Sequence, residues 1–314
     1  MRKKLLVVGT MAYDTIKTPN HKKENILGGA ASHIVFSASN FNVEIGVVSV
    51  IGEDFQSSDL NLFIKRNIDL KGLDVVKGGK TMFWSCSYSD NFKARETLET
   101  RLNVYENFNP KIPKDWCKPD ILLLGNDHPK VQLSAISQIK TSSSLIILDS
   151  MNYWMENFKE ILDEVISKVD LICINDEEAI QLTGKKSIIQ AAELIQNLGP
   201  KYVIIKKGEY GATLFNKDNI FSVPAFPIKK ILDPTGAGDS FIGGFAGYLL
   251  QQDVVDFENM KTAMIYASII ASFTVQGFGS ENLQLIDSSE IKKRLLDFKQ
   301  LINIDLNFTK SKVL

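Results

Sequence analysis

The segment Asp233-Pro234-Thr235-Gly236-Ala237-Gly238-Asp239 concentrates residues that can do chemistry. Proline and two glycines crowd a turn, and an apolar helical pattern (Phe241, Phe245, Tyr248, Leu249) follows at once. This order predicts a helix whose first N–H groups belong to Gly236, Ala237 and Gly238. Unpaired N–H groups and the positive end of a helix dipole attract an anion. Glycines let a phosphate approach the backbone without meeting a Cβ. Such an anion hole suits phosphoryl transfer, in which charge builds on the equatorial oxygens. The attacking hydroxyl also needs a base, and Asp239, directly after the glycines, can point into the same space. A plain helix start, with aspartate as a cap, uses the same residue types.

Other polar residues cluster where apolar runs end. Asn175-Asp176-Glu177-Glu178 follows one such run and opens a helix, either as a cap or as oxygen ligands. Lys206-Lys207-Gly208-Glu209-Tyr210-Gly211 follows another, and either glycine can make a hairpin turn. Asn126 and Asp127 follow a third, and Asp149-Ser150-Met151-Asn152 follows a fourth. Carboxyl ends of strands are where open sheets bind ligands.

The elements that position these residues are legible in the same pattern. Lys4–Val8, Ile121–Leu124, Leu145–Leu148, Leu171–Ile174 and Tyr202–Ile205 are nearly continuous in Leu, Ile and Val. Such runs read as parallel strands covered on both faces. Helical patterns lie between them at 130–140, 155–168 and 187–198, the last stopped by Gly199-Pro200. The alternation predicts right-handed βαβ units and an α/β fold, a doubly wound, mostly parallel sheet flanked by helices. The stretch from Lys80 to Val104 breaks the rhythm. Aromatic and β-branched residues alternate with polar ones around a turn signal at Ser89-Asp90-Asn91. It reads as an inserted small β-sheet of about 78–106, with a contribution from about 12–24. That sheet is either a lid over the carboxyl edge or a plain edge meander. The whole chain, 1–314, reads as one domain. The tail after Leu301 has no clear pattern.

The string at 233–239 closely resembles the second signature of the PfkB (ribokinase-like) carbohydrate kinases, with Pro234 as a departure. The resemblance covers nearly the whole chain. Leu27-Gly28-Gly29-Ala30-Ala31-Ser32-His33 is similar to the family's glycine-glycine sugar element, with His33 where asparagine is common. Asp14 matches the early aspartate that binds substrate hydroxyls, although an ordinary turn or cap uses the same residue. Ile45–Phe55 resembles a scaffold strand and turn. The resemblance implies ATP as donor and Mg²⁺ held by Asn175 and Glu178, partly through water. It implies a nucleotide site at Asn175, Lys207, Gly208, Gly211 and Thr235, flanked by Ala267 and Ala271 on a late small-residue helix. It implies an acceptor site at Asp14, Gly28, Gly29 and His33, extended by Asn126, Asp149 and Asn152 at strand ends. Asp233 and Thr235 match two ligands of a monovalent cation, K⁺ in many members. The expected activity is transfer of the γ-phosphoryl group of ATP to a hydroxyl of a small sugar or sugar derivative. A nucleoside kinase of the same fold is the alternative, because Phe83, Trp84 and Tyr88 can stack on a base. A non-catalytic regulator is disfavoured by the intact Asp239 and anion hole.

Bulk properties exclude other classes. With 44% apolar residues the 314-residue chain can bury a large core, and a net charge of −1 gives no field for nucleic acid. The first apolar run is too short for a signal peptide, and Met264 to Val275 is too short to span a bilayer. Cys86, Cys117 and Cys173 lie far apart with no metal spacing, so a reducing cytoplasm is the expected location. Gly79-Lys80-Thr81 looks like the end of a P-loop, but the required first glycine is Asp74. Edge strands of the small sheet invite pairing into a homodimer.

Overall fold

The computed structural model describes residues 2–90, 92, 94–141 and 144–303. In chain order its strands are β1 (Lys4–Val8), β2 (Ala12–Lys17), β3 (Lys22–Gly28), β4 (Glu44–Gly52), β5 (Ile68–Val76), β6 (Met82–Tyr88) and β7 (Arg95–Arg101). They continue with β8 (Ile121–Leu124), β9 (Leu145–Asp149), β10 (Leu171–Asn175), β11 (Tyr202–Lys206), β12 (Ala212–Phe215) and β13 (Ile220–Val223). In β1, Leu5 and Val7 enter one hydrophobic core while Leu6 and Val8 enter a second. Successive side chains of a strand point to opposite faces, so a strand buried on both faces must be apolar throughout.

Nine strands form the large sheet in the order β13-β12-β11-β10-β9-β8-β1-β4-β5. Pairing is parallel from β5 to β11, and β12 and β13 are attached antiparallel. Helices Ala30–Ala38, Ala237–Leu249 and Phe257–Thr274 cover one face and contribute Ile34, Phe245 and Ile270 to the core of Leu5 and Val7. Helices Pro129–Ser137, Lys159–Ile166 and Ile188–Leu198 cover the other. The five strands and the helix at 187–198 expected from sequence are all present, within a residue of their expected bounds. The helical pattern at 155–168 is broken in two at Phe158, whose φ of −138° ends one helix and caps the next.

The small sheet runs β3-β2-β6-β7. Its first contribution extends past residue 24 to Gly28, because β3 pairs antiparallel with β2 along most of its length. β6 and β7 form the expected hairpin. Asn91, the third residue of the expected turn, lies outside the described residues, as does the tail from 304. The P-loop-like Gly79-Lys80-Thr81 is a junction. Thr81 donates through its N–H and Oγ1 to Asp54, each at 2.7 Å, and accepts from the N–H of Gly52. No helix among the described residues is long and apolar enough to cross a membrane.

Candidate active site

The loop before helix Ala237–Leu249 is fixed by one carboxylate. Asp233, fully buried, accepts from the N–H of Thr235 (2.9 Å) and of Gly279 (3.1 Å). Gly236 then takes a φ of +75°, and the helix begins. A side chain there is blocked twice: the φ disfavours L residues, and a Cβ would lie 2.2 Å from the His33 ring. Pro234 fits because the turn uses only its carbonyl, which accepts from Ala237 N–H at 3.2 Å. The N–H groups of Gly236 and Gly238 meet no acceptor among the described residues. Two of the three expected anion-hole donors are therefore free, and Ala237 spends its own on the turn.

Strand parity assembles the rest. Ile147, Cys173 and Ile204 face the core beneath helix Ala237–Leu249. Two residues further along each strand stand Asp149, Asn175 and Lys206, on that same face. Lys206 Nζ pairs with Asp149 Oδ1 at 3.1 Å, with side chains 16% and 6% exposed. Asn175 and Glu178 form a reciprocal cap, each side chain accepting from the other's backbone N–H at 2.8 Å. This leaves the second oxygen of Glu178 uncommitted by the cap. Burial lifts the Glu178 carboxyl to about 7, against the pull of Lys206. Asp239 is lifted to about 7 by burial and by Asp149, with Lys206 and Arg95 opposing, and its Oδ1 has no partner. Lys206 was missed in the sequence, where Lys207 was assigned to the site. The signal was parity: Lys206 continues the face of Ile204, whereas Lys207 lies one step beyond the strand.

The acceptor candidates gather beside the small sheet. Asp14 is 3% exposed on β2, and burial lifts its carboxyl to about 8. Asp233 adds to that rise, the N–H of Gly29 opposes it, and Asp239 contributes last. A Cβ on Gly28 would lie 1.9 Å from Asp14 Oδ2, so glycine there makes room for the carboxylate. Trp84 is the register partner of Asp14 on β6. From the same strand, Tyr88 Oη lies 2.9 Å from Thr235 Oγ1, which joins the small sheet to the anion-hole loop. Arg95 of β7 covers the Trp84 ring at 5.2 Å.

The other assigned residues make contacts of their own. His33 is 1% exposed; its Nδ1 lies 3.1 Å from the Gly29 carbonyl and its ring supports Gly236. The ring lies beneath the loop, and its Nε2 has no hydrogen-bond partner among the described residues. Asn126 accepts from Trp154 Nε1 at 2.8 Å, and neighbouring buried Asp127 accepts from Tyr105. Asn152, the exposed first residue of helix Asn152–Asn157, accepts through Oδ1 from the N–H of Tyr153 at 3.0 Å. Lys207, Gly208 and Gly211 form the β11–β12 turn, closed by Lys207 N–H donating to the Gly211 carbonyl at 2.7 Å. Ala267 is fully buried and packs against Gly244, which assigns it to the core; Ala271 is partly exposed.

Comparison with known proteins decides the class. The profile of "pfkB family carbohydrate kinase" matches residues 2–286. The chain belongs to the pfkB family. This pfkB kinase is 29% identical over 250 residues to a cytidine kinase of Thermococcus kodakarensis, covering 78% of this chain and 88% of that protein. Its fold matches a nucleoside kinase of Methanocaldococcus jannaschii with a TM-score of 0.75 at 21% identity, over 94% and 98% of the two chains. It also matches a putative ribokinase II from E. coli, solved with ATP and Mg²⁺, with a TM-score of 0.78 at 18% identity, over 94% and 99%. The pfkB kinase is thus a phosphotransferase that acts with ATP on an alcohol group of a sugar or nucleoside.

Proposed function

We propose that this kinase phosphorylates the ribose of a nucleoside, with Asp239 as base and the Gly236–Gly238 turn as anion hole. The observation that carries the acceptor class is the pairing of Asp14 with Trp84 across β2 and β6. Register partners project from the same face, which sets a carboxylate for sugar hydroxyls beside an indole for a base. Ile26, opposite Asp14 on β3, and Phe278 extend that apolar surface. A free sugar uses the carboxylate and leaves the aromatic surface idle. The similarity to the cytidine kinase supports the same reading.

The residues fit ATP and Mg²⁺. Two free N–H groups and Lys206 offer positive potential to a triphosphate. Among the described residues no three His, Cys, Asp or Glu side chains converge on a metal position. Mg²⁺ keeps several waters and binds through one or two carboxylates plus phosphate oxygens, so Glu178 with its uncommitted oxygen is a sufficient protein contribution. The ion, when bound, neutralises charge on the phosphates. Asp233 fits a neighbouring monovalent cation: its carboxylate is fully buried and no salt bridge reaches it among the described residues. Asp14 orients the hydroxyl, Asp239 accepts its proton, and the Gly236 and Gly238 N–H groups receive the charge that develops in the transition state. Closure of the small sheet as a lid excludes water. Three buried free thiols suit a reducing cytoplasm.

The test is a coupled ADP-release assay with ATP and a panel of ribonucleosides, ribose and other free sugars. A nucleoside is expected to exceed ribose in kcat/KM by about tenfold or more, the value of one well-placed apolar contact. Equal or better turnover of ribose overturns the nucleoside assignment.

A further inference from the structure

Among the ten ion pairs of the described residues, Lys206–Asp149 stands apart. Each of the others has a partner more than half exposed, whereas this one is sealed at 16% and 6%. A buried pair gains little net stability over apolar residues of the same volume, so its position asks for another reason. That position is the anion hole. A Cβ built on Gly238 would fall 2.9 Å from Lys206 Nζ, which puts the ammonium against the backbone whose N–H is free. Asp149, Glu178 and Asp239 all act electrostatically on it. A polyphosphate entering among three carboxylates meets repulsion, which an ammonium at this position opposes.

We propose that Lys206 is a phosphate-binding catalytic residue whose ammonium contacts the phosphoryl group being transferred, with Asp149 holding it in place until the nucleotide arrives. This rests on the phosphoryl-transfer reading of the loop. A lysine suits the task as a compact point charge on a flexible stem. The acceptor oxygen forms its bond to the γ-phosphorus as the bond to the β,γ-bridging oxygen breaks. The electron pair leaves with ADP, and the hydroxyl proton goes to Asp239. Lys206 keeps its own protons throughout and forms no covalent bond.

The rival role is a counter-ion that only stabilises Asp149. Lys206→Met and the double variant Lys206→Met with Asp149→Asn separate the two, and the double variant removes the charge that the single one strands in the interior. Each is measured for turnover and for affinity toward ADP and a non-hydrolysable ATP analogue. Both variants are expected to lose roughly tenfold or more in analogue affinity, the loss of one charge-assisted hydrogen bond, with ADP affinity kept within about threefold. Turnover should fall at least as far in both. Recovery of turnover and analogue affinity in the double variant to within about threefold of the parent overturns the proposal. So does an equal loss for ADP and the analogue. The parent protein assayed on nucleosides and sugars in parallel tests the acceptor class separately, since Lys206 can be measured on whichever acceptor is used.

Discussion

Asp239, the proposed base, is poorly solvated. Burial and the nearby Asp149 carboxylate lift it to about 7, and its Oδ1 has no partner to steady the charge. A base works in its deprotonated form, so kcat/KM for the acceptor should rise with pH through about 7 and level off above it, measured at saturating ATP. Asp239→Asn should lower kcat roughly 10²–10⁴-fold while ATP affinity is kept, and near-normal turnover sinks the assignment. This aspartate and its glycines were legible in the sequence because local order alone encodes them: a turn, a helix start, a carboxylate. Lys206 was not, because its neighbours Asp149 and Gly238 are distant in the chain and only the fold brings them together. The place of the His33 ring is not legible for a related reason. Its residue type allows a hydrogen bond to substrate, but which way the helix turns it depends on packing against Gly236.

The large-sheet strands were the easiest elements to read. Both of their faces are covered, so their apolar runs are unbroken. β3 was harder, because Lys22-Lys23-Glu24-Asn25 is exposed and carries no apolar alternation. The small sheet is nonetheless tied to the loop of the proposed anion hole through Tyr88 and Thr235. Tyr88→Phe removes that hydroxyl and little else. An exchanged hydrogen bond contributes ~1 kcal/mol, so KM for the acceptor should rise about fivefold with kcat changed less than about twofold. Hydrogen–deuterium exchange in β6 should quicken in the same variant. Unchanged exchange and unchanged KM remove any latch role from Tyr88.

At the scale of the molecule, several carboxyls are held out of register with water. Burial lifts Asp14 to about 8 and Asp127, Glu178 and Asp239 to about 7. The folded chain therefore keeps protons that the unfolded chain has released above its ordinary carboxyl range of about 4. Stability contributed this way is complete below that range and is lost as pH rises through about 7 to 8. The unfolding midpoint should fall between about pH 5 and 8, and Asp14→Asn should flatten the decline while lowering kcat/KM. Potassium, compared with tetramethylammonium at equal ionic strength, should raise the midpoint at pH 8, because a cation bound at Asp233 stabilises only the folded form. An unaltered midpoint removes the cation from that site.

One topological fact reaches further. In the small sheet β2 and β6 lie parallel, with Ala12 beside Met82, about seventy positions apart in the chain. The chain enters that sheet once from β1 and once from β5. Neither visit makes a local pair with the other strand, so closing the sheet's central ladder costs the entropy of a long loop, which the β1–β4–β5 unit lowers by bringing both entrances together. A ribosome releasing this polypeptide emits Asp14 about seventy residues before the strand that covers it, and the Gly28-Gly29 pair and the β2–β3 hairpin likewise precede that strand.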